Sequence, residues 1–273
     1  MSVALPNKAL TEDNAVTAEI ETLKIPWLLM FTLLIGTLLI FGTYRWYQQN
    51  YSFTVGLDYF EPEFQTYWMN LFYVQMALII ISTLIIAPTL WFTRPKDIHA
   101  ITPIQELNNY YLVFGLMSVA SVGLLISLGL FVEADAAWHQ ITIRDTDFTP
   151  THIALFYFAL PLIFASIAIA FVWVHTRLPD FSQRVSLPMA ITVGGPILIM
   201  PNLAFNEWGH TFFYAEELFA APIHWGFVAL AWGFFAVGGF ILQCLARVKV
   251  LTNLTHQEQP PKDQSEPLSN QAA

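Results

Sequence analysis

Long apolar stretches separated by short polar ones set the rhythm of the chain. Runs of about 20 apolar residues, the length that crosses a hydrocarbon core, fall at about 25–44, 68–92, 110–132, 152–175, 187–206 and 222–246. Stretches such as ALIIISTLII (77–86) are apolar on every face, which excludes the alternating pattern of a spanning β-strand. The pattern predicts an all-α, polytopic transmembrane helical bundle of about six spanning helices over 25–247, with both termini on one side. Residues 1–24 form a polar segment that holds four acids and lacks the basic start and cleavage site of a signal peptide. The polar, proline-containing tail, 248–273, is expected to be disordered.

Composition agrees and adds direction. The chain is 56% hydrophobic and 11% charged, with 23 Phe, 10 Tyr and 9 Trp, a balance that excludes a conventional cytosolic enzyme. Six spans put the termini and the loops near 93–109 and 176–186 on one side, with Lys8, Lys24, Arg94, Lys96, Arg177, Arg184, Arg247, Lys249 and Lys262. The opposite side, with loops near 45–67, 133–151 and 207–221, has only Arg45 and Arg144. This asymmetry makes the first side cytoplasmic and the second periplasmic or its equivalent. The formal net charge of −9 says little about partners, because the acids divide evenly between the two sides; nothing in the chain points to nucleic acid. Cys244 is the only cysteine, so neither a disulfide framework nor a thiolate cage can form.

Candidate chemistry gathers on the periplasmic side. Residues 133–152, EADAAWHQITIRDTDFTPTH, concentrate acids and histidines in a chain that otherwise avoids charge. Asp135 and His139 are four apart, which sets them one turn apart on one helix face. His152 follows Pro150 by two residues, and proline is favoured at the first helical position. The pattern recurs: Asn206 and His210 are four apart, and His224 follows Pro222 by two. In each copy one helix end brings an oxygen and an imidazole, and the returning helix brings a second imidazole. Such a set suits zinc, copper or non-haem iron, and the carboxylate of the Asp135 set should hold a divalent ion more firmly than the amide of the Asn206 set. A lone histidine at a membrane interface is more often a packing residue than a ligand, and an Asp at a span end can be a solvated cap. The doubled constellation is what favours metal.

The neighbouring residues have blander readings. Glu133, Asp145, Asp147, Glu207, Glu216 and Glu217 are solvated loop charges or partners that orient imidazoles, and Arg144 pairs with Asp145, Asp147 or a subunit neighbour. Trp138, Trp208 and Trp225 fit an interfacial aromatic belt. GGPILIMP (194–201) predicts a kinked or broken fifth span, a backbone tolerated at that depth only against protein or a cavity.

Four motifs together carry a resemblance: DAAWHQITIRDTDFTPTH, TRLPDFSQ, MPNLAFNEWGH and EELFAAPIHWGF. From about residue 44 to 247 the chain resembles the C-type subunit of the copper membrane monooxygenases, the particulate methane monooxygenase and ammonia monooxygenase family. The resemblance implies a subunit, active only in complex, of an enzyme that uses O2 and a quinol or other electron donor to hydroxylate methane, ammonia or a short alkane. It implies copper as cofactor, with zinc possible at Asp135, His139 and His152, and copper at Asn206, His210 and His224, the set expected to be catalytic. It further implies subunits A and B as partners in a trimer of three-subunit protomers, in a bacterial cytoplasmic or intracytoplasmic membrane. A metal-binding scaffold without chemistry of its own is the alternative, and a transporter is weaker, because these ligands sit at span ends rather than mid-span.

Overall fold

A computed structural model describes residues 22–58, 60–141, 153–195 and 216–258. Every regular element among them is helical: α1 (Trp27–Tyr51), α2 (Pro62–Phe92), α3 (Pro103–Ile141), α4 (the π-turn Leu155–Ala159 continued by Leu160–Arg177), the short α5 (Pro179–Ser182), α6 (187–195) and α7 (Glu216–Glu258). Among the described residues, five segments are long and apolar enough to cross a membrane: Trp27–Tyr51, Pro62–Phe92, Pro103–Phe131, Tyr157–Arg177 and Phe235–Leu254. They coincide with five of the six expected runs. The remaining run, 187–206, is helical over 187–195, and its residues beyond 195 lie outside the described residues.

The helices overrun the apolar stretches that announce them. With 39 residues, α3 extends about 58 Å at 1.5 Å per residue, well past a core of about 30 Å. The loop expected near 133–151 is therefore helical as far as Ile141, since no Pro or Gly interrupts residues 130–141. At the other end of the chain, α7 already runs from Glu216, so Pro222 lies inside the helix rather than at its first position. Such a proline costs one backbone bond, which neighbouring groups re-satisfy in membrane helices. The same helix continues to Glu258, with Leu251 buried, so residues 248–258 of the expected tail are ordered helix.

Contacts define how the helices run. The Lys24 N–H at the start of α1 donates to Asn108 Oδ1 near the start of α3 at 2.6 Å, and Phe41 meets Phe131 further along both, so α1 and α3 are parallel. They approach closely because Gly115 has no side chain: a Cβ there would lie 3.0 Å from Met30 Sδ. Likewise α2 and α4 are parallel. Gln75 bonds the first residues of α4, and Arg177 at its end donates to Leu90 O and Thr93 Oγ1 at 3.1 and 3.0 Å. The ion pair of Arg247 with Glu106 ties the last part of α7 to the start of α3. One end of the bundle, end A, thus collects Lys24, Arg94, Arg177, Arg184, Arg247 and Lys249; end B holds the α1–α2 turn and the start of α4.

Packing is split accordingly. Leu107, Tyr110, Val174, Leu178, Phe240 and Cys244 form a core toward end A. Toward end B, Phe41, Phe131, Ala154 and Ala159 form one cluster, and Phe64, Trp68, Met69 and Ile153 another. Much apolar surface is left outward, with Leu28 83% and Phe235 87% exposed, as befits helices whose solvent is lipid or another subunit.

Candidate metal centre

End B is built from turns that depart from the α-helix. Two π-turns, Gln65–Met69 in α2 and Leu155–Ala159 in α4, lie toward that end, and Phe72, just past the first, meets Tyr157 in the second with ring centroids 5.4 Å apart. Such turns add one residue to the helical repeat and occur frequently at functional sites. Side chains dock on the backbone around them: Tyr47 Oη donates to Tyr67 O at 3.0 Å, Trp68 Nε1 to Val55 O at 3.0 Å, and Gln75 Nε2 to Ile153 O at 2.8 Å. The α1–α2 turn needs a glycine at its tightest point. Gly56 has φ +64°, and a Cβ there would sit 2.6 Å from Phe64 Cα and N.

Against this frame the expected ligands fall as follows. Asp135 and His139 both lie in α3, whose continuous backbone through Ile141 sets them one turn apart. His152 is outside the described residues, but the two residues that follow it are buried in the end-B clusters: Ile153 against Trp68 and Met69, and Ala154 against Phe131. Phe131 precedes Asp135 by one helical turn. The fold therefore brings the start of α4 to the part of α3 that leads into the Asp135–His139 pair. A carboxylate and two imidazoles form a donor set that fits a divalent zinc or copper ion.

The second set is less defined. His224 lies in α7, eight residues after Glu216, and not in a first helical turn. Asn206 and His210, with most of the GGPILIMP segment, lie outside the described residues, as do Asp145, Asp147, Arg144, Glu207 and Trp208.

The histidines of end A are engaged otherwise. His175 Nδ1 donates to Phe171 O at 2.8 Å and its Nε2 accepts from the Ser186 N–H at 3.1 Å, tying the end of α4 to the approach to α6. His99 Nε2 lies 3.3 Å from Gln183 Nε2, beside an open polar cavity of about 400 Å³ lined by His99, Asp180, Gln183, Arg184 and Arg247. Sequence reasoning missed the buried polar groups. Glu106 is 3% exposed and takes a two-pronged contact from Arg247, at 2.8 Å from Nε and 2.7 Å from Nη2. Gln75, also 3% exposed, is an amide in an otherwise apolar run, and that isolation was the available signal.

Among the described residues, five membrane-length helices, one of them carrying an Asp-x3-His pair beyond its apolar stretch, define a multi-pass helical membrane protein. The AmoC sequence profile, which describes the C-type subunit of ammonia monooxygenase/methane monooxygenase, matches residues 11–255, and the chain belongs to that family. No curated protein matches it.

Proposed function

We propose that this chain is the subunit of a copper-dependent membrane monooxygenase that carries metal at end B and takes part in hydroxylating a small apolar or volatile substrate with O2. Methane, ammonia and short alkanes are the substrate class. The supporting observation is that the family match spans both ligand sets, together with the burial of Ala154 against Phe131, which draws the start of α4 to the Asp135–His139 helix. Asp135, His139 and His152 hold copper or zinc; Asn206, His210 and His224 hold copper and are the catalytic set. Copper supplies one-electron chemistry and affinity for O2. The chain supplies the rest: α3 sets Asp135 and His139 in register, and its overhang holds them beyond the hydrocarbon core, within reach of water and protons. The outward apolar surfaces offer lipid-borne substrate and the A and B subunits places to lie. The basic residues of end A orient that end toward the cytoplasm, which leaves end B periplasmic in a bacterial membrane and accessible to an electron donor such as a quinol.

The test is metal content, copper spectroscopy and turnover of the assembled complex, comparing His139→Ala and His210→Ala with the unmodified protein. We expect each variant to lose metal, and His210→Ala to lose turnover by at least about a hundredfold, as for removal of a group essential to the chemical step. Unchanged metal and turnover in both would move the chemistry to another subunit and leave this chain a scaffold.

A further inference from the structure

A chain of buried polar groups crosses end B from α1 to α4. Tyr44 Oη donates to Gln75 Oε1, and Gln75 Nε2 donates to Ile153 O at 2.8 Å across 78 residues of sequence. A primary amide has distinct donor and acceptor ends, so a phenol on its oxygen leaves its nitrogen aimed at the carbonyl. Burying an amide among apolar side chains costs free energy unless both ends are matched, and here both are. The acceptor is not an arbitrary one. Ile153 directly follows His152, is fully buried, and stands two residues before the π-turn Leu155–Ala159.

We propose that Gln75, oriented by Tyr44, is a positioning residue for the ligand set: it fixes the backbone at Ile153, the residue after His152, and so the point at which the chain passes from that ligand into α4. The inference rests on the reading of Asp135, His139 and His152 as a metal set. Ile153 is held by three kinds of contact: the Gln75 amide, the apolar cluster that it forms with Phe64, Trp68 and Met69, and, through Ala154, the cluster that holds Phe41 and Phe131. Of these, only the amide contact is directional, and a hydrogen bond weakens steeply when its angle is lost. The held carbonyl belongs to the peptide between Ile153 and Ala154, so it limits rotation one residue past the ligand, as hydrogen bonds to metal-binding side chains limit theirs.

The experiment uses the assembled membrane complex. Metal content is followed by elemental analysis during competition with a chelator, separately for copper and zinc, in the unmodified protein and in Gln75→Leu, Tyr44→Phe, Tyr47→Phe and His152→Ala. The fraction of metal absent in His152→Ala marks the site. For that fraction we expect Gln75→Leu to release metal at a chelator concentration about tenfold lower and Tyr44→Phe to shift the same way by less. Tyr47→Phe, which removes a hydrogen bond of the same end that does not reach α4, should leave the midpoint unchanged; a purely structural role for Gln75 would give all three variants the same midpoint. An unmodified midpoint in Gln75→Leu, with metal lost in His152→Ala, overturns the positioning role and leaves the site standing. Full metal content in His152→Ala overturns the site itself, and the positioning role with it. Should Gln75→Leu fail to assemble, Tyr44→Phe decides: a midpoint equal to that of Tyr47→Phe overturns the proposal.

Discussion

The two ends of the bundle are held together by different chemistry. At end A arginines make the charge-assisted contacts between helices: Arg247 with Glu106 and, at 3.6 Å, with Asp180, and Arg177 forked between Leu90 O and Thr93 Oγ1. At end B the contacts around the two π-turns are neutral, a phenol, an indole and an amide docked on backbone carbonyls. Charges tie side chains at helix ends, where arginine can keep part of its head in water. Neutral donors on carbonyls tie the backbone itself, without adding another charge to that end. The difference assigns anchoring to end A and geometric precision to end B.

Three perturbations, in decreasing order of expected effect, would break or sharpen that contrast. Glu106→Ala leaves the partly buried Arg247 guanidinium with only Asp180, 3.6 Å away, which should cost about 3 kcal/mol, the low end for a broken buried pair. The loss should appear as a lower thermal midpoint and lower yield of the complex, with the chelator midpoint of any complex that assembles unchanged. Replacing both partners, Glu106→Gln with Arg247→Met, should recover most of it. A shift in metal affinity on breaking this pair would dissolve the division between the ends.

Gly56→Ala should cost about 1–3 kcal/mol in backbone strain alone, because φ is +64° and the new Cβ would press on the Phe64 backbone. Its signature is a displaced start of α2, read as faster hydrogen exchange around the π-turn Gln65–Met69 and weaker metal retention. Normal retention would mean that end B tolerates movement of its turn. The smallest effect belongs to Arg94→Ala, which removes a guanidinium stacked 4.5 Å above the Trp91 ring. About 0.5–1 kcal/mol is expected, visible only as a slight fall in the thermal midpoint, with end B untouched.

Span by span, the helices follow directly from the apolar runs, because a segment of that length with no water to satisfy its backbone must be helical. The outward loops were harder to foresee. Hydropathy marks where lipid ends and not where a helix ends, so α3 passes through residues 133–141 and α7 begins well before Pro222. The Asp135–His139 spacing was informative because it depends only on local geometry; α3 supplies the helix it requires. Glu106 is the converse case: its spacing to neighbours carries no signal, and its partner lies 141 residues away.

What the sequence determined by itself was the solvent and the inventory: lipid-length helices, a basic end, and two Asp/Asn-His-His patterns of repeated spacing, all consequences of local composition and period. Tertiary structure decided which groups meet. It chose α1 beside α3 and α2 beside α4, paired Glu106 with Arg247, and turned a single amide at position 75 toward the carbonyl after His152. Those meetings depend on how helices from distant parts of the chain pack, and the close approach at Gly115 and the π-turns at end B are packing outcomes that no local pattern encodes.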